Sequence, residues 1–454
     1  MANETYTWKA HNIKKAVKRQ EFLQSVEKCL GTKEFSLAYK DNNRTAILIT
    51  KMDTLPPIIV KSQELTLKRK DSERKEVKDI VTPLNHLSYD EQLASKVASV
   101  EKFAAKLGCA SIEIVKSPQE TGYRNKCEFT FGFEDGKPAL GFRPGKYTDA
   151  PNNVANPSGC AFNTGAEMLG IVARINQHIS TTTDLVYDRI SQTGHLRVLL
   201  IRRIGQALIG VLQVNVSSNE EAVKVPEILA FIEFLPIEHV YVESNCTTFE
   251  GFRTTSVLHK VKGPETEYTE TLNNSTFRVS PMGFFQINIP VAEIMCQTIQ
   301  KEITTSTILD ICCGAGLLGI STAKGTSNAV IGIEISPDAV KDAQENARVN
   351  QIKAKYYCGS VEQIIDSGIK EIQTGCTALL DPPRAGLSLK LIKKITDTPS
   401  ISEIFYISCS YTQAKESIEE ITKGGFKLER VHVLDMFPFT PAVECIFHYK
   451  RAEN

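Results

Sequence analysis

Leu309-Asp310-Ile311-Cys312-Cys313-Gly314-Ala315-Gly316-Leu317-Leu318-Gly319 decides the fold. An apolar strand, Thr307–Ile311, runs into a G-x-G-x-x-G turn that opens a helix. Glycines there let the backbone approach a ligand and let the helix pack close to the strand. A second strand, Ala329–Glu334, ends in a carboxylate suited to ribose hydroxyls, and Ser336-Pro337-Asp338 caps the helix that follows. Further strands are expected at Lys355–Cys358, Thr377–Leu380 and Glu403–Ile407, with a final hairpin ending in Cys445–Tyr449. Such strand–helix alternation predicts a parallel, doubly wound sheet. The glycine turn alone fits a nicotinamide dinucleotide and S-adenosylmethionine equally well.

The fourth strand separates the two. Ala378-Leu379-Leu380-Asp381-Pro382-Pro383-Arg384-Ala385-Gly386-Leu387 puts Asp381 at the carboxyl end of a sheet strand, the edge where ligands bind. A dehydrogenase has no need of Asp-Pro-Pro there, whereas S-adenosylmethionine-dependent methyltransferases commonly carry Asp/Asn-Pro-Pro. Those acting on exocyclic amines follow it with an aromatic residue. Arg384 stands here instead, which disfavours amine methylation. Carbon-5 cytosine methylation usually pairs this strand's proline with a cysteine, and none is present.

The fifth strand, Ile404-Phe405-Tyr406-Ile407-Ser408-Cys409-Ser410, brings a thiol to the same edge. The chain has 12 cysteines, and most cysteines are inert small core residues. Cys409 stands apart because it lies beside the Asp381 strand. Carbon 5 of uracil becomes nucleophilic once a thiolate adds at carbon 6, and the product must then lose its carbon-5 proton to a base. Glu444, at the end of Phe437-Pro438-Phe439-Thr440-Pro441-Ala442-Val443-Glu444, follows a proline-constrained turn and can supply that base. A lone Glu is otherwise most often a surface residue.

Working outward, Tyr123 to about Thr271 reads as strands. Cys127–Phe133 turns through Glu134-Asp135-Gly136-Lys137 into Ala139–Phe142, and Leu196–Ile204 turns through Gly205-Gln206 into Ala207–Val216. Arg124, Lys126, Arg143, Lys146, Arg197, Arg202 and Arg203 recur through this stretch. They read either as scattered solvated charge or as a basic face for a polyanion. A helix over Tyr89–Leu107 keeps Leu93, Val97, Val100 and Ala104 in helical period. The mixed charge run Lys68–Lys78 reads as a solvated linker. Residues 5–70 suggest a small α/β unit: strand Thr7–Ile13, helix Val17–Leu30, then strands Phe35–Tyr39, Ala46–Thr50 and Leu65–Lys68. That order fits an RNA-recognition-motif sheet, but the aromatic signature that stacks bases is missing. A docking or spacer role competes with RNA binding there.

Composition agrees with this organisation. A chain of 454 residues suggests roughly three domains at ~150 residues each. Lys+Arg and Asp+Glu are both 53, which excludes a polybasic nucleic-acid carpet but not a local basic groove. The start shows no secretory pattern, and no apolar run approaches a membrane span. Without Cys-x-x-Cys spacing, no zinc or iron–sulfur cluster is expected, and reduced thiols fit a cytoplasmic or nuclear address.

Taken together, Asp381–Leu387, Ser408-Cys409, Phe437-Pro-x-Thr-Pro-x-Val-Glu444 and Phe284-Phe285-Gln286-Ile287-Asn288 resemble the RNA (uracil-5)-methyltransferase family. Tyr123-Arg-Asn-Lys-Cys-Glu-Phe129 and Gly194-His-Leu-Arg197 resemble its central RNA-binding domain. The RRM-like start, Thr82-Pro-Leu and Gly145-Lys-Tyr147 make the chain similar to the eukaryotic tRNA (uracil-5)-methyltransferase homologue A group. The resemblance covers about residues 80–450. It implies an α/β chain with an RRM-like domain (1–75), a linker (76–90), a central α/β RNA-binding domain with its preceding helix (91–275) and a class I, Rossmann-like methyltransferase domain (276–454). It implies S-adenosylmethionine as cofactor, held by Gln286, Glu334, Asp381, Gly314 and Gly316, with Cys409 as nucleophile and Glu444 as proton acceptor. The implied partner is tRNA, modified at its T-loop uridine 54. Arg124, Lys126, Arg143, Lys146 and Arg384 are the candidate RNA contacts, and a monomer without metal is expected. The nucleophile motif departs from the family's Ser-Cys-Asn-Pro: here it reads Ser408-Cys409-Ser410-Tyr411. A tRNA-binding folding factor with weak or lost methylation is the competing reading.

Overall fold

The computed structural model describes residues 6–11, 19–32, 35–39, 46–50, 52, 54–60, 63–69, 76–109, 111–145, 151–181, 183–247, 251–252, 257–372 and 375–452. Residues 83–125, 203–207 and 265–454 cluster as one compact unit, and residues 1–82, 126–202 and 208–264 as another.

The first of these is built on an eight-stranded sheet among the described residues. Its order is Ala354–Cys358, Ala329–Glu334, Thr307–Ile311, Cys376–Leu380, Ile401–Ser408, Glu444–Arg451, Phe426–Leu434, Ile112–Val115. The first five strands run parallel, as the strand–helix alternation predicts. Glu444–Arg451 then runs antiparallel to both of its neighbours. The chain steps outward from Thr307–Ile311 to Ala354–Cys358, then returns to lay Cys376–Leu380 on the other side of Thr307–Ile311. That reversal opens a crevice at the carboxyl ends of the two central strands, where ligands bind in such sheets.

Two elements of this unit come from far upstream. The helix Tyr89–Lys106 starts at a capping box, in which Ser88 accepts from the Glu91 N–H and the Glu91 carboxylate accepts from the Ser88 N–H. Its period is as expected, but its destination differs from the expected place at the head of the central domain. Val97, Val100, Phe103 and Ala104 pack with Ile404, Phe426, Val431 and Phe447 in the core of the doubly wound sheet. An apolar stripe specifies that a helix face is buried and leaves the partner open. Ile112–Val115, which the sequence pattern does not mark, adds the edge strand, parallel to Phe426–Leu434. It is fastened by Glu113, which pairs with Arg430 at 2.9 Å and lies 3.2 Å from His432, and Arg430 also reaches Glu302 at 2.9 Å.

In the other unit, Lys126–Glu134, Lys137–Gly141, Leu196–Ile204, Ala207–Val214, His239–Ser244 and His259–Lys262 belong to one six-stranded sheet. The two hairpins expected from alternation are both present. Helices Ala166–Ile179 and Pro226–Phe234 cover the sheet through Met168, Ile171, Val172 and Ile175, and through Ile228, Phe231 and Ile232. The same unit contains a four-stranded antiparallel sheet of Phe35–Tyr39, Ala46–Thr50, Tyr6–His11 and Thr66–Arg69, with the helix Arg19–Leu30. Phe22 and Val26 of that helix share a core with Ala10, Phe35 and Leu48. Between Thr50 and Thr66 the described residues form the short pair Ile59–Val60 and Gln63–Glu64. No helix among the described residues is long and apolar enough to cross a membrane.

Candidate active site

The site lies at the carboxyl edge of the doubly wound sheet. After Thr307–Ile311 the backbone takes three left-handed steps, at Cys312 (φ 63°), Gly314 (φ 53°) and Gly316 (φ 79°). Gly316 caps the helix Leu317–Ala323. A side chain on Gly316 would meet Ile320 Cδ1 and the Tyr356 hydroxyl, each at 2.8 Å, so the turn closes only with glycine. A Cβ on Gly314 would meet nothing within 4 Å, which leaves the backbone bare to a ligand.

Glu334 ends the neighbouring strand and fixes this turn. Its Oε2 accepts from the Gly314 N–H at 3.0 Å and its Oε1 from the Ser336 N–H at 2.9 Å. The carboxylate is therefore oriented by backbone and keeps lone pairs for hydroxyl donors. Asp310, buried one strand inward, accepts from the Gly319 N–H at 3.0 Å. Desolvation, with Asp381 and Glu334 nearby, pushes its carboxyl up to about 7. Desolvation likewise raises Asp381 to about 6. Gln286 lies in the segment leading to the helix Ile289–Glu302. Its main-chain oxygen accepts from Asn125 Nδ2 at 2.9 Å, and Asn288 caps the helix. A bare glycine turn, an oriented carboxylate beside it and Asp381 across the switch point suit the ribose and methionine ends of S-adenosylmethionine. Gln286, Glu334, Asp381, Gly314 and Gly316 would hold it.

The expected nucleophile and base are brought near each other by strand register. Ser408 pairs with Cys445 across the antiparallel strands, and Cys409 and Glu444 are the next residues along each chain at the edge, close enough for Glu444 to raise the thiol. Glu444 is only 5% exposed. Burial, reinforced by Asp381, holds its carboxyl well above the ordinary range. Burial pushes the thiols of Cys296, Cys312 and Cys376 up to about 12. At Cys409 burial and then Glu444 also raise the thiol, but Arg384 opposes them by a hydrogen bond and by its charge. A thiol answered by a cation and facing a buried carboxyl is equipped for nucleophilic addition followed by proton removal.

The loop after Cys409 is well tied although it lacks Asn and Pro. The Ser410 N–H donates to Ser408 Oγ at 3.2 Å, and the Ser410 carbonyl accepts from Gln413 and Ala414. Tyr411 is buried, with its ring 5.3 Å from that of Phe103.

The basic residues divide. Arg384 is exposed, and its charge pulls the Cys409 thiol down against burial, an effect that its place in the sequence does not reveal. Arg197 and Arg202 are fully buried, so neither belongs to a basic surface. Arg197 donates to the carbonyls of Asn245 and Thr247 and lies over the Tyr187 ring. Arginine's fork of donors can be satisfied by carbonyls in a core, which a count of charges along a sequence does not show. Arg143 donates to the Pro151 carbonyl at 3.0 Å, and Lys126 lies 3.6 Å from Glu128. Arg124 is half-buried, and Lys146 lies outside the described residues.

Comparison with known proteins places this geometry. The family model described as tRNA (Uracil-5-)-methyltransferase matches residues 265–452. The chain is similar to tRNA (uracil-5-)-methyltransferase homolog A of Mus musculus, with 32% identity over 429 residues, covering 84% of this chain and 69% of the mouse protein. It is similar to the tRNA (uracil(54)-C(5))-methyltransferase of Pyrococcus furiosus, with 26% identity over 369 residues, covering 81% of this chain and 82% of that one. Its fold matches the crystal structure of Pyrococcus abyssi tRNA (uracil-54, C5)-methyltransferase in complex with S-adenosyl-L-homocysteine. The TM-score is 0.64 at 22% identity, covering 86% of this chain and 91% of that one.

Proposed function

The chain belongs to the tRNA (uracil-5-)-methyltransferase family, which depends on S-adenosylmethionine, and from that premise we propose that it methylates carbon 5 of uridine 54 in the tRNA T loop through a covalent adduct on Cys409. The position is suggested by the name of the Pyrococcus furiosus relative. The observation that carries the chemistry is the nearness of Cys409 and Glu444, which follow directly on the Ser408–Cys445 pair, to Asp381 and Arg384.

Bound at the glycine turn, S-adenosylmethionine supplies an electrophilic methyl group. Arg384 favours the Cys409 thiolate, which bonds to carbon 6 of the uracil. The carbon 5–carbon 6 π electrons move toward the ring carbonyl, and carbon 5 gains the density to accept the methyl group. Glu444, once ionised, takes the carbon-5 proton; the double bond re-forms and the thiolate leaves. A stacked uridine hides carbon 6, so the base must be turned out of the loop to reach Cys409. Residues 1–75 add tRNA affinity rather than chemistry in this reading, and removing them weakens tRNA binding while sparing S-adenosylmethionine binding.

The deciding experiment uses tRNA carrying 5-fluorouridine. Fluorine cannot leave as a cation, so elimination stalls and wild-type protein is trapped on RNA when S-adenosylmethionine is present. Cys409→Ala should abolish both trapping and methylation and keep cofactor affinity. Crosslinking through another cysteine overturns the assignment, and tRNA binding with neither crosslink nor methylation favours the folding-factor reading.

A further inference from the structure

Gln92, Lys96, Ser99 and Phe103 recur at helical spacing along the Tyr89–Lys106 helix and so form one stripe. Three of these four are polar or charged on a helix that enters a core. Each of them reaches a loop that carries a reacting group. Gln92 Oε1 accepts from the Phe439 N–H at 2.8 Å. Lys96 Nζ donates to Asp435 Oδ1 at 2.5 Å and to the Phe437 carbonyl at 3.1 Å. These contacts seize the 435–440 turn, which leads directly into Glu444. Ser99 Oγ is 2.6 Å from the Tyr411 hydroxyl, and Phe103 packs on the Tyr411 ring, two residues beyond Cys409.

The 435–440 turn needs such a grip. Phe439 holds a left-handed backbone, φ 64°, which a bulky residue adopts only when its surroundings impose it. Its N–H goes to Gln92, and its carbonyl accepts from the Leu84 N–H at 3.0 Å. Tyr123 donates to the Pro438 carbonyl at 3.1 Å, and Asn288 to the Met436 carbonyl at 3.2 Å. The Lys96–Asp435 pair is almost wholly buried, at 2% and 1% side-chain exposure. Buried ion pairs seldom stabilise more than apolar side chains of similar volume. What an apolar pair cannot do is hold the Phe437 carbonyl and fix the path of the chain toward Glu444.

We propose that this helix face is a common template for the two catalytic loops, with Lys96 and Gln92 as positioning residues for Glu444 and with Tyr411, tied to Ser99, as the positioning residue for Cys409. The inference rests on the covalent mechanism above. It also gives the Ser410-Tyr411 departure a physical sense: an anchor to the helix replaces the rigidity of a proline.

The two tethers should fail at different steps. Tyr411→Phe removes one hydroxyl and keeps the ring. It should slow trapping of 5-fluorouridine tRNA about tenfold, as expected for a misplaced reactant, with cofactor affinity and melting temperature unchanged. Lys96→Met/Asp435→Leu removes both buried charges together, so folding survives. It should trap 5-fluorouridine tRNA at the wild-type rate. On ordinary tRNA its turnover should fall about tenfold or more while a methylated protein–RNA adduct accumulates in denaturing gels. Gln92→Leu, which removes the acceptor for the Phe439 N–H and the donor to the Leu87 carbonyl but leaves the Lys96 contacts in place, should show the same pattern more weakly. Wild-type kinetics in all three, or parallel loss of both steps together with cofactor affinity, overturns the template. Failure of wild-type protein to trap 5-fluorouridine tRNA instead overturns the covalent reading itself, and is seen before any variant is made.

Discussion

Arg384 brings a positive charge to the Cys409 thiol and partly opposes burial and Glu444, which together still hold the thiol above its ordinary value. An arginine is the right residue for this, because it stays charged where a lysine would shift. The cation comes from the Asp-Pro-Pro-Arg segment, so the loop that carries Asp381 also conditions the Cys409 thiol.

Arg384→Gln should therefore move the pH dependence of 5-fluorouridine trapping toward alkaline values. For every pH unit that the profile moves, the thiolate fraction near neutrality falls about tenfold. A trapping profile that coincides with wild type would remove Arg384 from thiol activation and return it to RNA contact alone.

In the proposed mechanism Glu444 acts after methyl transfer. Glu444→Gln should accumulate the methylated, Cys-linked species and lose turnover by roughly two to four orders of magnitude. Because burial raises the Glu444 carboxyl, wild-type resolution of the adduct should quicken as pH rises through its ionisation, and the variant should lose that limb. Full turnover without adduct would exclude Glu444 as the base.

Glu334→Ala frees the Gly314 and Ser336 N–H groups and removes the carboxylate facing the turn. S-adenosylmethionine affinity measured by calorimetry should weaken at least tenfold, about 1.4 kcal/mol. Unchanged affinity would move the ribose contact elsewhere.

Asp310 makes stability depend on pH. Its folded value of about 7 lies above the ordinary 3.8, so between them the folded chain binds a proton that the unfolded chain has lost. Stability from this group is present at low pH and falls as pH rises from about 4 through 7. Asp310→Asn keeps an acceptor for the Gly319 N–H and removes the titration. Its melting temperature should match wild type near pH 5 and exceed it by several degrees near pH 8. A wild-type slope in the variant would place the titration elsewhere.

Much of this site could be read from the sequence because its residues sit at strand ends, and strand ends show as punctuation. Glu334, Asp381 and Cys409 each close an apolar run, and the glycine turn opens a helix. The support beneath them carries no such mark. Lys96 and Asp435 are 339 positions apart, and a lysine on a helix reads as solvated until its partner is seen. Ile112–Val115 is too short to announce an edge strand, and its pairing with Phe426–Leu434 has no local signal. Arg197 and Arg202 read as surface charge because the carbonyls that satisfy a buried arginine are invisible in a string of side chains.

The upstream origin of the Tyr89–Lys106 helix has a consequence for biosynthesis. The helix leaves the ribosome long before Phe426, Val431 and Phe447, the core residues it packs against. At about 5–20 residues per second, its apolar face waits roughly 20–70 s for them, with the whole of residues 126–264 emerging in between. During that interval Val97, Val100 and Phe103 are natural clients for a chaperone, and the nascent chain holds a half-made interior. A fragment begun at residue 265, where the family match begins, would carry Cys409 and Glu444 and never acquire this helix. The two side chains would be present in composition and absent as a machine, because Phe426, Val431 and Phe447 must find Val97, Val100 and Phe103.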